Sequence, residues 1–230
     1  MSTLLNERTR LGWHPITLAL ALVVAFSLLR AAVAFAWQRL FGGMDFYPTT
    51  SFVLFSLATF AVMSVGLIGG GLFGLAGVSW DRLGWRRGGL LKAMGRGTLG
   101  LVLIFVFMMV WGIVTVQFIA PMPAGTEAPA FQFTWSRLLV VALWGFFMAA
   151  WQEENLYRGY LQPLLIERLG LWPGIIVQAA LFSVAHVGWF TAWPPFVSAF
   201  VVGLILGWLR GREGSLVAPF IAHGLSWLLG

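Results

Sequence analysis

The stretch LLVVALWGFFMAAWQEENLYRGY, residues 138–160, places two adjacent carboxylates at the end of a strongly apolar run. No charge occurs between Leu138 and Trp151, whereas Glu153 and Glu154 follow at once and Arg158 comes one helical turn later. If this run lies in a bilayer, each ionised carboxylate costs roughly 2.5 to 3.5 kcal/mol. Since the chain has only eight acidic residues, two of them at this place indicate a functional site.

Composition sets the fold class. Hydrophobic residues make up 60% of the chain and charged residues 10%, against about 25% charged residues in soluble domains. These values predict an all-α, polytopic membrane helical bundle, because backbone polar groups in lipid must be paired within the protein. The chain has no cysteine, which excludes disulfides and thiolate metal sites. The net charge of +6 is assigned to loops that orient the protein in the lipid bilayer, so no nucleic-acid partner is expected.

Apolar segments predict about seven transmembrane helices: 16–37, 52–75, 98–120, 136–166, 172–189, 195–209 and 216–229. The first is longer than the roughly 7–15 residues of a signal-peptide core and matches the ~20 needed to span a bilayer, so we interpret it as a retained anchor. Arg30, inside this segment, is expected to extend its stem to the nearer interface.

The charge of the connecting loops predicts the topology. The 79–97 loop is strongly basic, whereas the 121–134 loop carries only Glu127. Basic loops face the cytoplasm, so a multi-pass cell membrane protein is expected, with its N-terminus cytoplasmic and its C-terminus outside. The basic loop is either an ordinary loop or an amphipathic surface helix that lays Trp80, Leu83 and Trp85 among the lipid headgroups.

Glycines are concentrated in GLIGGGLFGLAG, residues 66–77. The spacings Gly66–Gly70 and Gly70–Gly74 favour close helix packing. A phosphate-binding loop is not expected, because no strand precedes the glycines and no Lys-Ser/Thr pair follows them.

The number of residues between each polar residue and the nearest turn predicts that several polar residues lie at the same depth. Glu154 precedes Gly170 by 16 residues and His186 follows it by 16. If the chain turns at Gly170, both lie about 24 Å from the turn, at a rise of 1.5 Å per residue. His223, nine residues beyond Gly214, approaches the same level if its helix enters deeply.

Helical spacing separates the roles of the two glutamates. Glu154 and Arg158 form an i, i+4 pair, the geometry of a side-chain ion pair. Glu153 points about 100° away, toward another surface and without a local partner. A desolvated carboxylate can serve as a base near neutral pH, and with a histidine at the same depth it could activate a water. The alternative is a set of buried polar contacts that hold helices together.

Three motifs identify a family resemblance. EENLYR (153–158) fits an EExxxR motif, FSVAH (182–186) fits FxxxH, and APFIAHGLSW (218–227) supplies a third-motif histidine. Residues 136–230 therefore resemble the CPBP intramembrane proteases: the type II CAAX prenyl endopeptidases and bacteriocin-processing proteins, also called the Abi family. Residues 1–135 are then N-terminal transmembrane helices with the basic cytoplasmic loop 79–97.

The resemblance implies residue roles. Glu153 and His186 would activate the attacking water, and His223 would stabilise the oxyanion, with Glu154, Arg158 and Phe182 in support. The family normally has Asn or Asp four residues after the third-motif histidine, whereas this chain has Trp227, which offers one N–H donor and no acceptor. Trp227 is alternatively an interfacial residue.

The expected partner is a membrane-associated protein or peptide substrate. No cofactor is expected: a Glu/His/His set could bind zinc, but the resemblance implies a metal-free glutamate mechanism. A second function class stays open. The chain would then be a catalytically degenerate scaffold or sensor, or a small transporter that keeps the polar cluster.

Overall fold

The computed structural model describes residues 13–41, 50–85, 89–120, 134–186 and 193–229. Throughout these ranges the secondary structure is helical, and no strand occurs in them. This confirms the predicted all-α membrane bundle. Helices satisfy their own backbone hydrogen bonds, which lipid cannot do.

Eight helices occur in the described ranges. Five are α1 (His14–Phe41), α3 (Trp80–Leu83), α6 (Leu171–Val184), α7 (Pro194–Glu213) and α8 (Val217–Ser226), the last continued by a 3₁₀ turn, Trp227–Leu229. The others contain π-helical turns: α2 (50–75) is π-helical over Ser64–Leu75, α4 (90–119) over Thr115–Ile119, and α5 (135–169) over Trp144–Ala150 and Glu154–Leu161.

The seven apolar segments predicted from the sequence correspond to α1, α2 and α4 to α8. Four helices in the described ranges are long and apolar enough to cross a membrane: 14–40, 54–75, 90–119 and 194–213. Helices α6 and α8 are apolar but have only 14 and 10 residues, against the ~20 needed to span a bilayer. The predicted end of the α6 segment at residue 189 lies outside the described residues.

Helix α5 lies at the centre of the packing. Leu156, Tyr157 and Leu161 have no exposed surface and join a core formed with residues of α1 and α2. A second apolar cluster, around Leu206 and Leu209, joins α4, α7 and α8. The segment of α5 that carries the polar motif, Glu154–Leu161, is buried within the bundle.

Two glycines make the sharp turns at one end of the bundle. Gly170, between α5 and α6, has φ +92°, and Gly214, between α7 and α8, has φ +62°; these are left-handed conformations that glycine adopts without a Cβ clash. The turn predicted at Gly170 is thereby confirmed. The same end holds the start of α1, because the Arg168 guanidinium lies 4.5 Å from the Trp13 ring centroid.

The segment before α4 packs inward, and the prediction that it lays Leu83 and Trp85 among headgroups is wrong. Leu83 is fully buried, and the Trp85 ring packs against Trp151 and Phe220. Trp80, by contrast, is 46% exposed. The inward packing has a physical reason: the Leu216 N–H donates to the Gly84 carbonyl at 2.9 Å, which ties this segment to the turn before α8. Residues 86–88 lie outside the described residues.

The glycine prediction also needs correction. A Cβ on Gly66 would meet nothing within 4 Å, and Cβ atoms on Gly70 and Gly74 would meet only carbonyls of their own helix. The close approach is made by Gly71, whose Cβ would lie 2.9 Å from the Leu22 side chain of α1. The π-helical winding of this segment explains the change, since it replaces the i, i+4 spacing on which the prediction rested.

Candidate active site

The polar motif lies on the second π-helical segment of α5. All eight residues of Glu154–Leu161 are buried, including Glu154, Asn155 and Arg158. Burying so many polar groups is unfavourable unless they are paired, because a polar group without a partner loses its hydration. Their partners, on α5 itself and on other helices, therefore define the site.

Glu154 forms the centre of a buried network. The Arg158 Nη1 donates to Glu154 Oε1 at 3.0 Å, and both side chains are fully buried. The predicted i, i+4 ion pair is therefore present. His223 Nδ1 lies 2.8 Å from the same oxygen. Since an ionised carboxylate only accepts hydrogen bonds, Nδ1 is the donor, which fixes the orientation of the His223 ring.

Glu153 is paired with a residue of the first helix. Its Oε1 accepts a hydrogen bond from Arg30 Nη1, and its Oε2 lies 3.6 Å from His223 Nε2. This partner is not a local one, so the predicted lack of a partner along α5 is not contradicted, whereas the prediction that Arg30 extends to the nearer interface is wrong. Arg30 and Glu153 lie 123 positions apart, so the spacing along one helix does not reveal this pair.

His223 contacts both glutamates, which the spacing of Glu153 and Glu154 along α5 did not predict. Helix α8 enters deeply enough for the His223 ring to reach α5, as its position beyond Gly214 allowed. The two glutamates are therefore not divided between two surfaces. They share one histidine, and each has its own arginine, Arg30 or Arg158.

The buried cluster is balanced in charge. Two carboxylates, Glu153 and Glu154, are matched by the guanidinium groups of Arg30 and Arg158. Arg30 is slightly exposed, with 13% of its side chain accessible, and the other three are almost or fully buried. Pairing of this kind is what makes buried charges tolerable at low dielectric.

His186 follows the end of helix α6, two residues beyond Val184. Its Nδ1 lies 2.7 Å from the Phe182 carbonyl oxygen. A carbonyl can only accept, so Nδ1 carries the proton and Nε2 is the proton-accepting nitrogen of the neutral ring. One feature of a base is therefore present: a fixed tautomer.

Phe182 packs between the charged and the imidazole groups. Its ring contacts the rings of Tyr157, His186 and His223 edge-on, with centroid distances of 5.1, 4.8 and 6.1 Å. The Arg158 guanidinium lies over the same ring at 4.2 Å. The Phe182 ring therefore packs against Arg158 and against both histidines.

A cavity of about 390 Å³ adjoins the cluster. His186, His223 and Trp227 line it, together with apolar residues of α4 and α7 such as Met108 and Val202. Trp227 therefore lies beside His223 at the same space, as its position one turn later predicted. The glutamates lie directly behind His223, so the cavity combines an apolar wall with two imidazoles.

Sequence reasoning missed three contributors from the N-terminal helices. Arg30 pairs with Glu153, the Trp85 Nε1–H donates to Asn155 Oδ1 at 2.7 Å, and the Gln152 amide donates to Ser64 Oγ at 3.0 Å. Only Arg30 carried a usable signal: it lies 17 residues after Trp13, just as Glu153 lies 17 before Gly170. Trp13 and Gly170 are at the same end of the bundle. The equal number of residues from that end therefore places Arg30 and Glu153 at the same depth.

Among the described residues, no group of three or more His, Asp or Glu side chains is arranged to hold a metal ion. Glu154 Oε1 already contacts both Arg158 and His223.

Comparison with known proteins places the site in a family. Residues 134–229 match the family model described as type II CAAX prenyl endopeptidase Rce1-like. This match confirms the family resemblance. It covers the complete polar cluster except Arg30, and at the family level it implies a membrane protease of the CAAX type. Neither a curated protein nor a solved structure shows significant similarity to the chain.

Proposed function

We propose that this protein is a glutamate-type intramembrane endopeptidase that hydrolyses a peptide bond of a membrane-associated protein or peptide. The observation that carries the proposal is the shared cavity: His186 and His223 both line it, and the two glutamates lie immediately behind His223. A cavity of about 390 Å³ beside paired carboxylates and imidazoles is suited to bringing a water and a carbonyl together.

Water activation is assigned to Glu153 and His186. Because His186 Nδ1 donates to the Phe182 carbonyl, Nε2 is the ring nitrogen that would accept a proton. In the proposed step, the water gives a proton to the Glu153–His186 pair while its oxygen attacks the scissile carbonyl carbon. The same proton then passes to the leaving amine as the C–N bond breaks, so no metal is required.

Stabilisation of the oxyanion is assigned to His223 and Trp227. The Glu154 carboxylate holds the His223 ring through Nδ1, so donation to the oxyanion falls to Nε2, and the ring carries a proton on both nitrogens in this step. Trp227 lines the cavity beside it. The indole N–H is a hydrogen-bond donor, so tryptophan can supply the donor that the family takes from Asn or Asp. Glu154 and Arg158 then act by positioning His223.

A second function class is favoured by one observation. Glu153 and Glu154 are both neutralised by arginines, as expected of a polar cluster that only stabilises the bundle. In that case the protein would be a degenerate scaffold or sensor. A proton-relay transporter is the other alternative.

The decisive experiment compares membrane proteomes of cells that carry the wild type, Glu153→Gln or His186→Ala. Each substitution is expected to abolish cleavage, with a loss of at least 10²-fold, because the water then lacks its base. The readout is the loss of specific new N-termini from membrane proteins. Glu167→Gln is the matched control, since Glu167 is an exposed glutamate of the same helix. Wild-type cleavage by Glu153→Gln at normal abundance would remove the protease proposal.

We infer the orientation in the membrane from the basic residues at one end of the bundle, the end that holds Trp13, Gly84 and Gly170. Arg82 and Arg168 lie at this end, so we propose that it faces the cytoplasm. Single-cysteine labelling tests this in a chain that has no cysteine. Asp81→Cys should react only in broken cells, whereas Ala124→Cys, in a loop outside the described residues, should react in intact cells. The reverse pattern would invert the topology.

A further inference from the structure

Arg30 is a largely buried arginine, with 13% of its side chain accessible, in a helix that the family match does not include. The match begins at residue 134, and Arg30 lies in α1. A cation at this depth is unfavourable unless it is paired, and such residues in transmembrane segments usually face partners in the bundle interior. Here the partner is Glu153, whose side chain is 3% exposed. The burial of Arg30 is therefore explained by its contact with Glu153 in the site.

The surroundings of Arg30 restrict its geometry. Its guanidinium lies 5.4 Å from the ring centroid of Phe26, one turn earlier on the same helix, and Phe26 is 1% exposed. On the opposite side, Glu153 Oε1 accepts from Nη1. An arginine held between an aromatic face and a carboxylate has little rotational freedom, so it places a fixed positive charge beside that carboxylate.

We propose that Arg30 is a positioning residue that keeps Glu153 ionised and holds it against His223, which lines the cavity. The inference rests on the proposed function, because it assigns Arg30 to the base of the proposed hydrolysis. Glu153 must be ionised in order to take a proton from water. A neighbouring cation favours the ionised form of a carboxylate, which burial disfavours.

The two arginines of the cluster have different tasks. Arg158 pairs with Glu154, which orients His223, and both come from the motif on α5. Arg30 pairs with Glu153 from a separate helix, so the site is complete only when α1 is packed against α5. An N-terminal helix outside the family match thus supplies the counter-charge of the proposed base.

The test combines cleavage kinetics with a stability cycle on the full-length protein. Arg30→Met removes the charge but keeps most of the stem, and Arg30→Lys keeps the charge. We expect Arg30→Met to lower kcat by at least ~10-fold with KM changed by less than about twofold, since only the ionised fraction of Glu153 can accept a proton. Arg30→Lys should recover most of this loss. Arg39→Met is the control, because Arg39 is an exposed arginine of the same helix.

The stability cycle makes the result independent of a known substrate. Thermal unfolding in detergent is measured for wild type, Arg30→Met, Glu153→Gln and the double variant. If the two residues are coupled, Arg30→Met destabilises the wild type but has little effect in the Glu153→Gln background. Such coupling supports the pairing even if the protein proves to have no protease activity. Additive effects, wild-type kcat in Arg30→Met, or equal losses in Arg30→Met and Arg30→Lys would each overturn the proposal.

Discussion

The two parts of the chain on either side of residues 121–133 bury their side chains to very different extents. In α4, only 11% of the most apolar window is buried, and large side chains such as Phe118, at 81% exposed, face outward. In the π-helical segment of α5, all eight residues are buried although three of them are Glu154, Asn155 and Arg158. Lipid solvates apolar side chains, so α4 needs no protein partner, whereas polar side chains do.

The N-terminal part contributes few side chains to the site. Arg30 pairs with Glu153, Trp85 donates to Asn155 and Ser64 accepts from Gln152, whereas Arg158 and His223, the other partners of the two glutamates, belong to residues 134–229. A chemical centre in a membrane bundle can thus be assembled from one polar helix and single residues of its apolar neighbours. Substitutions in this polar region are therefore expected to have larger effects than substitutions in α4.

The largest effect is expected for Glu154→Gln. Removing this carboxylate leaves Arg158 as a fully buried charge without its partner, and breaking a buried pair in this way costs roughly 3–5 kcal/mol. We expect strongly reduced protein abundance in membranes, measured by immunoblot against the exposed Glu167→Gln control. Normal abundance combined with complete loss of cleavage would mean that Glu154, not Glu153, is the base.

The next effect concerns Trp227, which lines the cavity beside His223. Trp227→Phe keeps an aromatic ring and deletes the N–H, so we expect cleavage to fall by ~10² to 10³ while abundance stays unchanged. Trp227→Asn should keep or raise activity, because asparagine also donates. A silent Phe variant together with an inactive Asn variant would exclude position 227 as the second oxyanion donor and support its interpretation as an interfacial residue.

The smallest effect comes from a matched pair of glycines. A Cβ on Gly145 would overlap the Gly224 carbonyl and lie 2.8 Å from Trp227 Cβ, whereas a Cβ on Gly112 of α4 would meet nothing within 4 Å. Gly145→Ala should therefore lower stability by about 1–3 kcal/mol. Gly112→Ala should be neutral or slightly stabilising, by up to ~1 kcal/mol. Thermal unfolding in detergent measures both, and equal effects would contradict the packing of α8 against α5.

Several features were predictable because they depend on local spacing. The order of the apolar segments, the turn at Gly170 and the Glu154–Arg158 pair all follow from hydrophobic length or from a separation of four residues along one helix. The family resemblance likewise rests on three short motifs, and the match over residues 134–229 confirms it. The i, i+4 spacing predicted the wrong contact glycine in residues 64–75, because π-helical turns move the close contact from Gly70 to Gly71.

The sequence by itself determined the all-α membrane bundle and the small set of residues that carry chemistry, because a charge in an apolar run is costly wherever the run lies. Only the tertiary structure decided how those residues are paired. Arg30 meets Glu153 across 123 positions, and His223 reaches both glutamates because α8 enters the bundle beside α5. Such contacts depend on which helix faces pack together, and hydrophobic faces that meet lipid or protein equally well do not specify this in the sequence.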